Sequence, residues 1–272
     1  MIASGRTFYK MSGSGNDFVM IDAMTEPAGG LTEAKAVQAI CGRATGVGAD
    51  GLVVIEPSAV ADFRMVYLNA DGSRADLCGN ASLCSSRLAR ELGIIGDASY
   101  SIETDAGVLR GRFLPGGPEV DLEPVTEVRT GLSLRLAPGE RWIGFAQAGV
   151  PHLVVRVDDV SAVDVVGRGR PLRHEASLPR GANVNFVSHD APDWRIRTYE
   201  RGVEGETLAC GTGAVATAIL LTQAGEATSP VCLRTRSGRV LRVRLDGQAG
   251  VWRPSLSGEA RIVFEGRLGE WQ

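Results

Sequence analysis

Two nine-residue stretches, "DLCGNASLC" (76–84) and "LACGTGAVA" (208–216), share one construction, and that duplication limits the possible folds more than any other feature of the chain. In each, a cysteine stands directly before a glycine, small polar residues follow, and an apolar helical run begins. Cys78 and Cys210 are 132 positions apart (210 − 78). Other blocks repeat in the same order at nearly the same distance. "ETDAGVLRG" (103–111) lies over "RTRSGRVLR" (234–242), with Thr104 over Thr235 at 131 positions. "GADGLVV" (48–54) lies over "GANVNFV" (181–187) at 133, and "SGNDFVMID" (14–22) over "AGVPHLVVR" (148–156) at 134. "NADG" (69–72) lies over "ERGV" (200–203), with the paired cysteines nine and ten positions further on. Five pairings in one order imply two domains of common ancestry within the 272 residues.

Each half reads mostly as strands around one or two helices. "DFVMID", "GLVVIE", "FRMVYLN", "LVVRV", "VNFVS", "WRIRTYE" and "VLRVRL" are short, rich in β-branched or aromatic residues, and bounded by Gly, Pro, Asp or Ser. "LTEAKAVQAICGR" reads as a helix with Thr32 as its N-cap. "NASLCSSRLARELG" reads as a second helix, with Asn80 as cap, Cys84, Leu88 and Leu92 along one face and Gly93 as terminator. "TGAVATAILLTQAG" repeats it, with Val215 and Ile219 on a stripe and Gly225 at the end. The expected class is therefore α+β, two homologous domains of mixed β-sheet each wrapped around a central helix. The stretch 122–141, with its Pro and Gly, is the crossover. We expect an N-terminal half at 1–124, joined by a returning strand at 262–272, and a C-terminal half at 125–261.

A net charge of −3 gives no reason to expect a nucleic acid or an anionic membrane as partner. The longest apolar stretch, around "GAVATAILL", is too short to span a bilayer. The first residues contain no unbroken apolar run of the secretory kind, so we expect a chain that is not exported. Five cysteines without dense spacing then point to free thiols in a reducing compartment. There is no CxxC pair, and the three histidines (His152, His174, His189) are scattered, so no metal site is expected. Cys41, Cys84 and Cys232 read as small buried hydrophobes.

Cys78 and Cys210 read differently, because each stands at the mouth of a helix. Unpaired backbone N–H groups and the positive end of the helix dipole favour a thiolate there. The N–H groups of Gly79–Asn80 and of Gly211–Thr212 form cradles suited to a carboxylate or developing oxyanion. If the halves pack face to face, two thiols meet across one anion-binding cleft. Inverting a stereocentre needs that arrangement, with a base on one face of a carbon and an acid on the other. A racemase built on pyridoxal phosphate would need a Schiff-base lysine. Of 29 basic residues only Lys10 and Lys35 are lysines, and no phosphate loop accompanies either. We read the enzyme as cofactor-free. A thiol redox protein using the same cysteine pair is the reading of a different class.

At these residues a resemblance becomes specific. "KMSGSGNDFVMID", "NADGSRADLCGNAS", "GVPH", "ANVNFV" and "YERGVEGETLACGTGA" together resemble the diaminopimelate epimerases along essentially the whole chain. The resemblance implies a cytoplasmic enzyme, independent of pyridoxal phosphate and usually homodimeric, with two domains and an active site in the cleft between them. It implies interconversion of LL- and meso-diaminopimelate in lysine and peptidoglycan-precursor synthesis. Carried onto this sequence, it makes Cys78 and Cys210 the proton-transferring pair and Asn16, Asn69 and Asn183 substrate-binding asparagines. It gives Glu200 and Arg201 the distal end of the substrate, and Gly79, Asn80, Gly211 and Thr212 the reacting carboxylate. It places His152, with Glu200, near the thiols as groups that tune them. Three positions depart from the common pattern: Val150 stands where Asn commonly precedes "PH", Leu83 precedes Cys84 in place of Arg, and "RGVEGET" is one residue longer than usual. The first removes an asparagine donor from distal recognition and leaves room for another amino acid, such as histidine, as substrate.

Overall fold

The computed structural model describes residues 5–248 and 250–269. In chain order its elements are β1 (Thr7–Gly13), β2 (Asn16–Asp22), α1 (Ala34–Cys41), β3 (Gly51–Glu56), β4 (Phe63–Asn69), β5 (Arg74–Ala75), α2 (Gly79–Glu91), β6 (Tyr100–Thr104), β7 (Gly107–Leu114) and β8 (Gly117–Asp121). The order then starts again with β9 (Val128–Arg129), β10 (Glu140–Ala148), β11 (Val150–Val157), α3 (Val165–Arg173), β12 (Asn183–Asp190) and β13 (Asp193–Glu200). It finishes with β14 (Gly205–Thr207), α4 (Gly211–Gln223), β15 (Val231–Arg234), β16 (Val240–Gln248), β17 (Val251–Ser257) and β18 (Arg261–Arg267). The chain divides into two compact units, one holding 5–120 with 258–269 and the other 121–257.

Strand pairing is the same in both units. In the first, β2 runs parallel to β3, β3 antiparallel to β4, β4 parallel to β6 and β6 antiparallel to β7. In the second, β11 runs parallel to β12, β12 antiparallel to β13, β13 parallel to β15 and β15 antiparallel to β16. The short β5 and β14 are antiparallel hairpin partners of β4 and β13. β9 lies antiparallel to β10, and the corresponding place beside β1 is taken by β18, from the far end of the sequence. The fold is sheet-dominated α+β, as the sequence pattern predicts.

The central strands are continuous apolar runs because both faces are covered. Phe18, Val19, Met20 and Ile21 of β2 are all buried, as are Leu52 to Ile55 of β3 and Val184 to Val187 of β12. In the first unit Leu31, Val37 and Ile40, on and just before α1, close over Val19, Ile21, Leu52, Val54 and Leu68. In the second, Val165 and Leu172 of α3 close over Leu153, Val155, Val184, Phe186 and Tyr199. α2 and α4 take the other side of the strands in their own units, and residues 79–86 and 213–221 are buried without interruption. Three of their hydroxyls bond a carbonyl one turn back: Ser82 Oγ to Cys78 O (3.0 Å), Ser86 Oγ to Ser82 O (2.8 Å) and Thr217 Oγ1 to Gly213 O (2.7 Å). Both helices stop at a glycine with φ of 72°, Gly93 and Gly225, as expected for a left-handed terminator.

Four expectations need correction. Thr32 does not cap α1. It ends a 3₁₀ turn, Gly29–Thr32, bonding Gly29 O, and the N-cap residue is Glu33, which makes no side-chain cap bond. Asn80 is not the cap of α2 either, since Cys78 holds that position and Asn80 lies inside the first turn. Cys232, read as buried, is half-buried. The pairing of 48–54 with 181–187 slips by one residue, because Phe18 faces Gly51 in β2–β3 whereas His152 faces Asn183 in β11–β12. Gly48 and Gly181, both with positive φ, do correspond, but the first half carries one more residue before its strand starts. Helix α3 went unread because "VVGRGRPLR" holds two glycines and a proline. It is fixed instead by Asp164, whose carboxylate accepts from Gly167 N (2.9 Å), and by Gly169, where a side chain would come within 2.6 Å of Tyr199.

Ending the chain before Gly258 removes β18 and opens the edge of β1. Hydrogen exchange should then show lost protection in β1 and β2, while β11 to β13 keep theirs. Unchanged protection in β1 would show that β18 adds nothing to the first unit.

Candidate active site

In each unit the predicted residues gather at one end of the strands. β2 and β3 begin where β4 ends, and β11 and β12 begin where β13 ends, so Asn16, Gly51 and Asn69 share an end, as do His152, Asn183 and Glu200. The central helix starts at the same end. Cys78 is the N-cap residue of α2 with φ −135° and ψ 116°, and Cys210 is the N-cap residue of α4 with φ −141° and ψ 110°. The two helices are 13 residues long each. Neither cysteine uses its side chain as a cap, and both thiols are partly exposed and unbridged. The extended backbone at each cysteine turns its carbonyl into the helix, to Ser82 N (2.9 Å) and Ala214 N (3.0 Å). N–H groups of the next residues, Gly79–Asn80 and Gly211–Thr212, belong to the turn that has no intrahelical acceptor.

The first unit holds its asparagines in a chain of hydrogen bonds. Ser14 (φ 55°) and Gly15 (φ 119°) make the two-residue turn between β1 and β2 and set Asn16 at the start of β2. Asn80 Nδ2 donates to Asn16 Oδ1 (2.6 Å), and Asn16 Nδ2 donates to Asp50 Oδ2 (3.0 Å). Arg43 bridges Asp50 (2.6 Å) and Asp17 (2.9 Å), and Lys10 Nζ donates to Asp17 (2.6 Å) and to Gly48 O. Burial works to raise the Asp17 carboxyl, but its bonds to Arg43 and Lys10 prevail and hold it below the usual carboxylate range. Lys10, weighed above as a Schiff-base candidate, is thus a buried ion-pair partner, and Lys35 lies exposed on α1. Asn69 closes a local turn, donating from Nδ2 to Ser73 Oγ (3.0 Å).

The second unit is built differently on the same frame. Asn183 is buried and accepts from Arg201 N (2.7 Å), while Arg201 Nη1 reaches Arg180 O (3.1 Å). Thr212 Oγ1 stands 3.6 Å from Cys210 Sγ, within hydrogen-bonding reach for sulfur. His152 is 0% exposed, and burial, with the Arg201 charge adding to it, pushes its pKa down to about 3. Its ring is neutral at any ordinary pH. Val150 opens β11 in place of the donor common in the resembling pattern. Asp17, Asp50, Arg43, Asn185 and Thr198 had no signal in the sequence, because each acts through a partner 13 to 34 positions away.

A buried neutral imidazole ties stability to pH. The unfolded chain takes a proton on His152 below about pH 6.5 and the folded chain does not until about pH 3. Its contribution is complete above 6.5 and is lost as pH falls toward 3, at up to about 1.4 kcal/mol per pH unit. Urea unfolding across that window should show a shallower decline for His152→Gln than for the natural chain; equal slopes would place the ring in contact with water.

Comparison with known proteins agrees with this architecture. The profile of the diaminopimelate epimerase family matches residues 8–126 and 144–263. Diaminopimelate epimerases of Gemmatimonas aurantiaca and Aquifex aeolicus are 49% and 42% identical to this chain, covering 96% and 97% of it and 99% and 98% of their own lengths. Among solved structures, a phenazine biosynthesis protein of the PhzF family from Bacillus anthracis superposes with a TM-score of 0.73 at 18% identity, over 98% of this chain and 99% of its own. A hydroxyproline epimerase from Agrobacterium vitis superposes at 0.70 and 16%, over 98% and 92%. Those two likenesses speak for the fold alone. The family profile covers both halves and the full-length relatives agree with it, so this chain belongs to the diaminopimelate epimerase family of isomerases.

Proposed function

We propose that the chain interconverts LL- and meso-diaminopimelate by two-base proton transfer between Cys78 and Cys210, without pyridoxal phosphate, and that the two units are its two domains. One observation carries this reading: the two thiols occupy the same N-cap position, with matching backbone angles, on duplicated buried helices. The chemistry needs one sulfur on each face of the α-carbon. A thiolate takes the α-proton, the electron pair stays on carbon, and the opposite thiol returns a proton to the other face. The sulfurs finish with their protonation states exchanged, ready for the reverse reaction. In this scheme Gly79–Asn80 and Gly211–Thr212 bind the reacting carboxylate, which carries extra negative charge while the carbon is deprotonated. Asn16, Asn69, Asn183, Glu200 and Arg201 hold the remainder of the substrate, and Arg201 suits a carboxylate by its fork of donors. His152 and Glu200 set the electrostatics around the sulfurs.

Val150 favours a second reading, in which the same machinery inverts a different amino acid. The two are separated by deuterium wash-in at the α-carbon across a panel of amino acids that includes both diaminopimelate stereoisomers. We expect exchange with diaminopimelate alone; exchange with histidine, say, and none with diaminopimelate would give the second reading the case.

Cys78→Ser and Cys210→Ser should each lower inversion by about 10²–10⁴-fold, the usual contribution of one general acid–base group. Each variant should still eliminate from a suitably halogenated analogue of one stereoisomer and fail with the other. Inversion at the natural rate in either variant would refute the two-thiol scheme, and symmetric defects on both stereoisomers would refute the assignment of one thiol to each face.

A further inference from the structure

His152 carries a buried nitrogen with nothing to bond. The ring is 0% exposed, and Nε2 has no hydrogen-bond partner among the described residues. Nδ1, by contrast, is held by Asn185, which is itself 0% exposed. Asn185 Nδ2 lies 3.0 Å from Leu153 O and 3.1 Å from His152 Nδ1, and Asn185 Oδ1 accepts from Thr198 Oγ1 at 2.9 Å.

These contacts decide where the histidine proton is. A backbone carbonyl can only accept, so the asparagine atom beside Leu153 O must be the nitrogen. That nitrogen spends one hydrogen on Leu153 O and points the other at His152 Nδ1. Nδ1 therefore accepts, and in a neutral imidazole the proton then resides on Nε2. The amide cannot turn over, because its oxygen would then face the Leu153 carbonyl and its nitrogen would face the Thr198 hydroxyl. It is also boxed in from above: a side chain at Gly213, in the first turn of α4, would come within 2.3 Å of Asn185 Oδ1. The same amide thus underlies the helix turn that starts at Cys210 and fixes the ring at His152.

We propose that Asn185 is a positioning residue that locks His152 in the Nε2–H tautomer, so that the imidazole acts only as a hydrogen-bond donor to an anionic acceptor of the reaction and never as the base that deprotonates a thiol. A buried N–H without an acceptor destabilises a fold, and a bound carboxylate or a thiolate would supply one. The positive charge of Arg201 opposes its protonation as well. Asn183, beside His152 in the strand register, and Arg201, whose backbone N–H donates to it, are the groups assigned above to substrate, so the donor stands among the proposed binding residues. The catalytic meaning of this assignment rests on the two-thiol reading; the tautomer does not.

The test is ¹⁵N NMR of the full chain. Only three histidines contribute, and the set missing in His152→Gln identifies the ring. His152 should show the neutral Nε2–H pattern, unchanged across neutral pH. An Nδ1–H pattern, or a ring that titrates there, overturns the proposal whatever Asn185→Asp shows. Asn185→Asp is nearly isosteric, but its carboxylate only accepts, so the proton should move to Nδ1 or the ring should become doubly protonated. In that variant kcat should fall about tenfold or more with a smaller change in KM, and a pH inflection absent from the natural enzyme should appear near neutrality. A tautomer indifferent to the substitution, or a shifted tautomer with kcat intact, refutes the positioning role. If Cys210→Ser leaves inversion intact while the tautomer is as stated, the two-thiol reading has failed and the histidine assignment has not.

Discussion

A helix packed into its own sheet meets the surroundings chiefly through its ends, and each unit is built around one such helix. α2 and α4 satisfy their backbone through the ladder, and Ser82, Ser86 and Thr217 through bonds to the previous turn, so they can be packed among apolar strands. Their N-termini cannot be satisfied in that way. The first-turn N–H groups and the dipole they carry are left at the strand ends. A cysteine at each N-cap puts a thiol at the positive end of a helix.

The duplicated frame is filled in two ways. In the first unit the residue that holds Asn16 is Asp50, anchored by Arg43 and so by Asp17 and Lys10. Its network is charged and partly open to solvent. In the second unit the strand begins one residue sooner after the equivalent glycine, and the support is neutral and buried: Thr198, Asn185 and His152. A charged network tolerates a carboxylate only because cations surround it, whereas a buried neutral one fixes hydrogen positions. Two halves with one topology are therefore supported by unlike networks at the strand ends where their central helices begin.

How much of this the sequence disclosed depended on whether a residue's partners were near it in the chain. The apolar runs 17–22, 51–56 and 184–188 declared themselves as strands by composition, and Gly93 and Gly225 marked the helix ends. The repeat located Cys78 and Cys210 without any knowledge of packing. Helix α3 was illegible because its propensity is poor and its packing against Tyr199 supplies what propensity lacks. Asn80 misled for a related reason: asparagine is a good cap in isolation, and here its amide is claimed by Asn16, 64 positions away. Asn185 sits in the recognisable "ANVNFV" run, yet its role depends on a histidine and a threonine from the strands on either side.

The place of β18 beside β1 has a consequence for how the molecule comes into being. Everything in the second unit lies in one continuous stretch, 121–257, so its sheet can close as soon as that stretch has left the ribosome. The first unit is begun earlier and finished later. Its strands wait with an open edge at Tyr9 and Met11 until residues 261–267 have been made and laid against them. The thiol nearer the N-terminus is synthesised first, but the sheet around it is sealed after that of the second unit.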